Sequence, residues 1–439
     1  MLREIRDNTL YFDGCPVTEL ARNYKTPLYV FSESEMVRRL TELRECFLEP
    51  WPGNRVAYAC KAFCTPALIK LMEREGMCID VVSGGELAAA IRAGFPGERI
   101  EFNGNNKLRE EIELAVDYGI GRIIIDGLQE LSLIEEVCRD RGKQMRVLYR
   151  ITPGIKADSH DYIVTGKKDS KFGIPLDEDV IYPAIEAAIR SKQVDFLGVH
   201  FHVGSQLFDN APFLAALEVS LNLMKETRRR FGFVMRELNI GGGFGITYTG
   251  EERRPYSYFL APMMERVEEF CRTEGVDRPA VVTEPGRSIV GEAGMTLYTV
   301  GSVKEIPGVR KYVSVDGGMT DNIRPALYGA RYEGMVANRA EEPAEDMATV
   351  CGKCCESGDI LIRDAQIARA EPGDLFAVFS TGAYGFSMAS NYNNSPIPAV
   401  VLVKEGRSEL MVRRQSYEEL LANAVIPDSL KRGVSNALY

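Results

Sequence analysis

The strongest constraint in this sequence is a rhythm. Between residues 55 and 283, short apolar runs alternate with amphipathic stretches of helical period: RVAYAC then TPALIKLMEREG, CIDVVS then GELAAAIRAGF, RIEFNG then KLREEIELAVDYG, RIIID then LQELSLIEEVCRDRG. It continues through MRVLYRI, FLGVHFHVG, ELNIGGG and AVVTEPG, with helical patterns at 176–191, 211–231 and 256–274, giving eight strands. Strands that are apolar throughout are buried on both faces, as in a parallel sheet covered by its own crossover helices. Eight such units within about 250 residues fit a closed (β/α)8 TIM-type barrel better than an open doubly wound sheet. The GGGFG run at 241–245 does not restore the open sheet. The dinucleotide fingerprint belongs to an early unit and is followed by an acidic residue about twenty positions on, whereas this run lies in the seventh.

The flanks read differently. Residues 1–33 look irregular or strand-forming and end in LYVFS; Ser32 with Glu35 then forms a capping box for a helix running to about Phe47. Beyond residue 286, MTLYTVGSV, KYVSVDGG, ARYEGMVAN, DLFAVFS and AVVLVKEG alternate apolar with polar residues between Gly, Pro and Asp turns, the pattern of antiparallel β structure, before a short helix at SYEELLANA. The expected organisation is a barrel over 34–285 and a mostly antiparallel β domain made of 1–33 and 286–439. Two domains are also what 439 residues imply.

Composition narrows the partners. The net charge is −10 and the basic residues are scattered, so the chain lacks the stripe that neutralises nucleic-acid phosphates. No run reaches the roughly 18 apolar residues of a membrane span, and MLREIRDNTLYFDG has no apolar signal core. Ten dispersed cysteines then fit reduced thiols in the cytoplasm. Cys351 and Cys354 have metal-ligand spacing, but there is no second CxxC and there are only three histidines, so no metal site is expected.

In a barrel of this kind the chemistry sits at the carboxyl ends of the strands. Those ends carry Lys61, Asp80 with Ser83, Asn103, Asp126, Arg150, His202, Gly241 to Gly243, and Glu284 with Arg287. Lys61 ends a buried strand, where desolvation favours the uncharged, nucleophilic amine that a Schiff base needs; the plain alternative is a lysine reaching solvent. Glycines 241–243 let backbone N–H groups approach a phosphate, or form a mere flexible turn. His200 and His202 point to one face, His202 placed to stack on a planar ring and His200 in a lower layer. Glu284 can pair with a ring nitrogen, or with Arg287. Lysine, glycines, histidine and carboxylate together describe pyridoxal 5'-phosphate.

The chain resembles the barrel-fold pyridoxal-phosphate decarboxylases, and among them the branch acting on diaminopimelate. The resemblance runs over almost the whole length, through YACKA (58–62), DVVSGGEL (80–87), TGKKDSKFGI (165–174), HFHVGSQ, GGGFG, EPGR, VDGGMTDNIRPALYGARYE (315–333), CESGD (355–359) and GAYGFSMASNYN (382–393). It implies an alanine racemase-like barrel joined to a β-barrel domain, and decarboxylation of meso-2,6-diaminopimelate to L-lysine, the last step of lysine biosynthesis. Lys61 would carry the cofactor covalently, with His202 on its ring. Asp80, Ser205, Gly243, the loop Glu284, Pro285, Gly286 and Arg287, and Tyr384 would complete its site. Arg287, Arg324, Tyr328, Glu356 and Tyr384 would hold the substrate, and Cys355 would be the acid that returns a proton. Cys355 and Glu356 are implied to reach the neighbouring subunit's cofactor, hence a homodimer with shared sites. The preceding Cys351 and Cys354 depart from the usual pattern and suggest thiol modulation of Cys355. Other amino-acid decarboxylases, a racemase and a cofactor carrier without catalysis are the competing functions; Glu284 argues against the racemase, whose relatives set an arginine there.

Overall fold

The computed structural model describes residues 1–155 and 170–431, so residues 165–169 of the TGKKDSKFGI motif lie outside it. Eight parallel strands form the barrel: Arg55–Ala59, Cys78–Val81, Ile100–Phe102, Arg122–Ile125, Met145–Thr152, Val194–His200, Glu237–Asn239 and Ala280–Thr283. It closes where the eighth strand pairs with the first, Val282 opposite Arg55 and Thr283 opposite Val56. The strand-to-helix turns follow from local chemistry. Thr65 and Ser83 cap the next helices by accepting from Leu68 N at 3.2 Å and Glu86 N at 3.3 Å. Gly94, Gly119 and Gly142 end helices in the left-handed conformation that suits glycine.

Outward strand residues such as Ile79, Ile100, Phe102 and Ile123 join the helices in one large apolar cluster, each such side chain contributing roughly 1.5–3 kcal/mol by its burial. The barrel interior has a different character. Besides two small apolar groups, Ala57 with Cys78 and Val282, and Ile124 with Leu148 and Leu197, it buries Glu101, Arg122, Glu237, Asn239 and His200. A barrel interior normally filled by branched aliphatics is here strongly polar.

The second sheet is built around the long strand Gly294–Ile306. Its first half pairs antiparallel with Leu28–Ser32 and Leu375–Val378, its second half with Arg310–Val315. Ala399–Lys404 lies parallel on the other side of Leu28–Ser32, so the N-terminal segment is woven into the C-terminal sheet. Most pairings are antiparallel; the Arg310–Val315 strand with Asp346–Cys351 is the other parallel one.

Three local expectations are corrected. Ser32 Oγ accepts from Glu35 N at 3.0 Å, but the Glu35 carboxylate binds Arg38 and Arg39 instead of closing the box. The helix is α only over Glu33–Leu43 and widens into a π turn over Arg44–Leu48. Val17–Tyr24 is a helix inside the segment read as strand-forming; Val17 and Leu20, one turn apart, are its buried face.

Candidate active site at the carboxyl ends of the barrel strands

The tops of the strands open into a cavity of about 720 Å³. Lys61, Asp80, His202, Ser205, Gly243, Glu284, Gly286 and Arg287 line it from the barrel, and Arg324, Tyr328 and Tyr384 from the β domain. Pro285 stands just behind, its carbonyl accepting from Ala59 N at 3.1 Å. The structure does not bring Cys355 or Glu356 to this cavity. Both are exposed on the loop after Asp346–Cys351, where Cys355 N donates to Asn393 Oδ1 at 2.8 Å and Gly358 N to Glu356 Oε1 at 3.1 Å. All ten cysteines are free thiols; Cys351 packs against Ser314 Oγ at 3.3 Å. Among the described residues no group of three or more acidic, His or Cys side chains forms a metal cluster.

Lys61 differs from its expected surroundings. Lys61 sits in the short turn Cys60–Ala62 between two buried residues, its own side chain exposed to the open cavity. Whatever fills the cavity must supply the desolvation that the strand does not.

Glu284 is fixed by three side chains. Its Oε1 accepts from Asn239 Nδ2 at 2.8 Å and Asn103 Nδ2 at 2.9 Å, and its Oε2 lies 3.0 Å from His200 Nε2. Arg287 is not among them, which disposes of the ion pair weighed above. Burial alone would raise the Glu284 carboxyl, but the His200 charge and hydrogen bond, together with Asn103, outweigh it and hold the group well below the ordinary carboxylate range. Asp80 shares Asn103 at 2.8 Å and moves the other way: burial, then the Glu284 charge, push it well above its usual value. The two carboxyls, joined through Asn103, are thus pushed in opposite directions.

The glycine turn is tightly packed, not slack. A Cβ on Gly242 would overlap the Glu284 carbonyl oxygen, and one on Gly243, whose φ is +118°, the carbonyl oxygen of Gly204. Leu207 N to Gly243 O and Gly245 N to Leu207 O, both 2.9 Å, zip this turn to the HVGSQ loop. Arg287 reaches across them, donating to Ser205 Oγ at 2.9 Å and Tyr248 Oη at 2.6 Å. Its buried Nε has no acceptor among the described residues.

His202 Nδ1 accepts from Gly242 N at 3.3 Å. Burial, then the charges of Lys61 and Arg150, hold its imidazole well below the usual 6.5. It is therefore neutral when folded but takes up a proton near 6.5 when unfolded, so its contribution to stability is present above that pH and lost as pH falls. The melting temperature of the cofactor-free protein is expected to drop below about pH 6.5, and less steeply in His202→Gln. Equal slopes from pH 8 to 5 would refute this role.

A lysine, a histidine with a ring face, a carboxylate held by three side chains and a glycine cradle that added side chains would fill fit the amine-reactive aldehyde, ring, ring nitrogen and phosphate of pyridoxal phosphate. Fold and site thus define a barrel-type pyridoxal enzyme. Residues 33–291 match the family model for the pyridoxal-dependent decarboxylase, pyridoxal binding domain. The diaminopimelate decarboxylase of Bacillus subtilis is 48% identical over 420 residues, 95% of this chain and 96% of that protein. The crystal structure of diaminopimelate decarboxylase from M. jannaschii superposes with a TM-score of 0.91 at 34% identity, covering 98% and 99% of the two chains. Its co-complex with L-lysine gives 0.90 at 35%, covering 98% of each. The chain belongs to the diaminopimelate decarboxylase family of pyridoxal-phosphate-dependent enzymes.

Sequence reasoning passed over Asn239, Tyr248 and the part played by Asn103 and His200. Inward alternation was the available signal: Asn239 stands two residues before Gly241, and Asn103 at the top of its own strand. Tyr248 lies in an irregular loop and offered none.

Proposed function

We propose that the chain decarboxylates meso-2,6-diaminopimelate to L-lysine and CO2, and that it does so as a homodimer with shared active sites. The observation that carries the substrate reading is the pair of arginines, Arg287 and Arg324, set 4.8 and 5.4 Å from the Tyr384 ring at the β-domain side of the cavity. Forked donors there suit the carboxylate at the far end of a substrate that is an amino acid at both ends. No helix among the described residues is long and apolar enough to cross a membrane, and ten free thiols support a reducing compartment, the cytoplasm.

When bound, pyridoxal phosphate supplies the electron sink for the pair left by departing CO2. Lys61 provides the amine that holds it. His202 would offer it a ring face, and Glu284, held by Asn103, Asn239 and His200, would favour a protonated ring nitrogen. Ser205, Gly243 and Gly286 would hold the phosphate, with Tyr384 beside them. Arg287, Arg324 and Tyr328 position the remote carboxylate. Cys355 would be the acid that returns a proton to the carbon that lost CO2, and Glu356 would bind the remote ammonium. Both are exposed on their own chain and neither lines its cavity, which supports their delivery by a second copy.

Release of CO2 from diaminopimelate, lysine, ornithine and arginine tests the substrate; equal or faster turnover of ornithine or arginine would sink it. Cys355→Ala is expected to lose at least about a hundredfold in turnover with the cofactor still bound. Mixing that variant with Lys61→Ala in equal amounts should restore about a quarter of the wild-type rate, since half of the randomly formed dimers hold one intact site of two. No recovery in mixed dimers would refute site sharing.

A further inference from the structure

Below Glu284 the barrel holds a second carboxyl, Glu101, fully buried on the third strand. Its Oε1 accepts from Asn239 Nδ2 at 3.3 Å, and the same nitrogen donates to Glu284 Oε1 at 2.8 Å. The other end of that amide, Oδ1, accepts from Gly241 N at 2.9 Å. One side-chain amide therefore ties Glu101, Glu284 and the first glycine of the phosphate turn together. The far oxygen of Glu101, Oε2, has no hydrogen-bond partner among the described residues.

The titratable groups that act on Glu101 come from several strands: Asp80, Arg122, Glu237, Glu284 and, from the first strand, Arg55. Both arginines are engaged by Glu237, Arg122 Nε at 3.0 Å and Arg55 closer still. Arg122 stands opposite Glu101 in the strand register and its charge favours ionisation, but among the described residues neither arginine closes an ion pair with Glu101 as both do with Glu237. Burial and then the Glu284 charge push its carboxyl well above the ordinary range, opposite to Glu284. Two neighbouring carboxyls whose surroundings push them in opposite directions are suited to different roles.

We propose that Glu101 is a positioning residue for Glu284: an uncharged carboxyl that fixes the Asn239 amide so that it donates to Glu284, and that leaves Glu284 to carry the charge. This rests on the reading of Glu284 as the carboxylate facing the ring nitrogen. An ionised Glu101 would compete for the same amide and repel Glu284 across it, whereas a neutral one accepts its hydrogen bond and adds no charge.

Two measurements test it. In the protein without cofactor at about pH 8, where free carboxyls are ionised, the infrared difference between wild type and Glu101→Gln should contain a protonated-carboxyl C=O band. A carboxylate band in its place overturns the proposal. In the loaded enzyme, Glu101→Gln, an uncharged isostere that still accepts from Asn239, should keep kcat within about threefold, while Glu101→Met, of similar volume with no acceptor, should lose about tenfold in kcat with little change in KM. Loss in the Gln variant equal to that in the Met variant, or a Met variant indistinguishable from wild type, overturns it as well. Glu284→Gln is the control: if it turns over normally, the reading of Glu284 has failed, and if it is inactive while Glu101→Met is normal, only the role of Glu101 has.

Discussion

Replacing Lys61 by alanine is expected to abolish the absorbance of covalently held cofactor and to lower turnover by at least about a thousandfold, with the fold intact. The side chain is exposed in the cavity and belongs to a short turn whose neighbours Cys60 and Ala62 do the packing, so its removal opens no cavity in the core. Two explanations of such a loss have to be separated, because Lys61 also places a positive charge near His202 and Asp80. Lys61→Arg keeps that charge, but a guanidinium does not give up its proton to become a nucleophile. Both variants are expected to be equally inactive, measured by CO2 release and by absorbance after cofactor addition and gel filtration. Activity in the arginine variant would show that the charge matters and not the nucleophile.

Much of the barrel was legible because its cause is local. Apolar runs such as RIIID and VAYA can only be buried on both faces, and the glycines and Ser or Thr caps between them fix where each helix starts and stops. The helix Val17–Tyr24 was missed for a related reason. Eight residues hold only two turns of period, too few to outweigh the strand-like segments around them. At the site, Lys61, His202 and Glu284 could be placed at the cavity from the sequence because each follows a barrel strand by one or two residues, at the carboxyl end where this fold gathers its functional groups. What alternation cannot tell is which inward residues meet across the barrel. Asn239 comes from the seventh strand and Glu101 from the third, and their contact depends on closure and shear. The exposure of Lys61 was likewise hidden, since a sequence does not say whether the space beyond a strand end is filled.

Glu284→Gln should keep the cofactor bound and lose about 10²- to 10³-fold in kcat, the range expected when one preorganised electrostatic group is removed. The substitution is close to isosteric. Its single amide oxygen can still accept from Asn103 and Asn239, now at 2.9 and 2.8 Å from Oε1, and its NH2 can donate to His200 Nε2 in the tautomer that accepts. Packing and stability should therefore change little, and the melting temperature of the cofactor-free protein serves as the check. What the amide cannot do is balance a positive charge on a ring nitrogen. Because His200 and Asn103 hold the wild-type carboxyl well below the usual range against the pull of burial, Glu284 is expected to stay ionised wherever ordinary carboxylates are, and the defect in the Gln variant should not vary with pH above that range. A kcat within threefold of wild type, or a loss that disappears at low pH, would mean that the charge of Glu284 is not what activates the ring. In either case, the polar layer beneath it, from Asn239 down to Arg122 and Glu237, would need another reason to occupy the middle of a barrel.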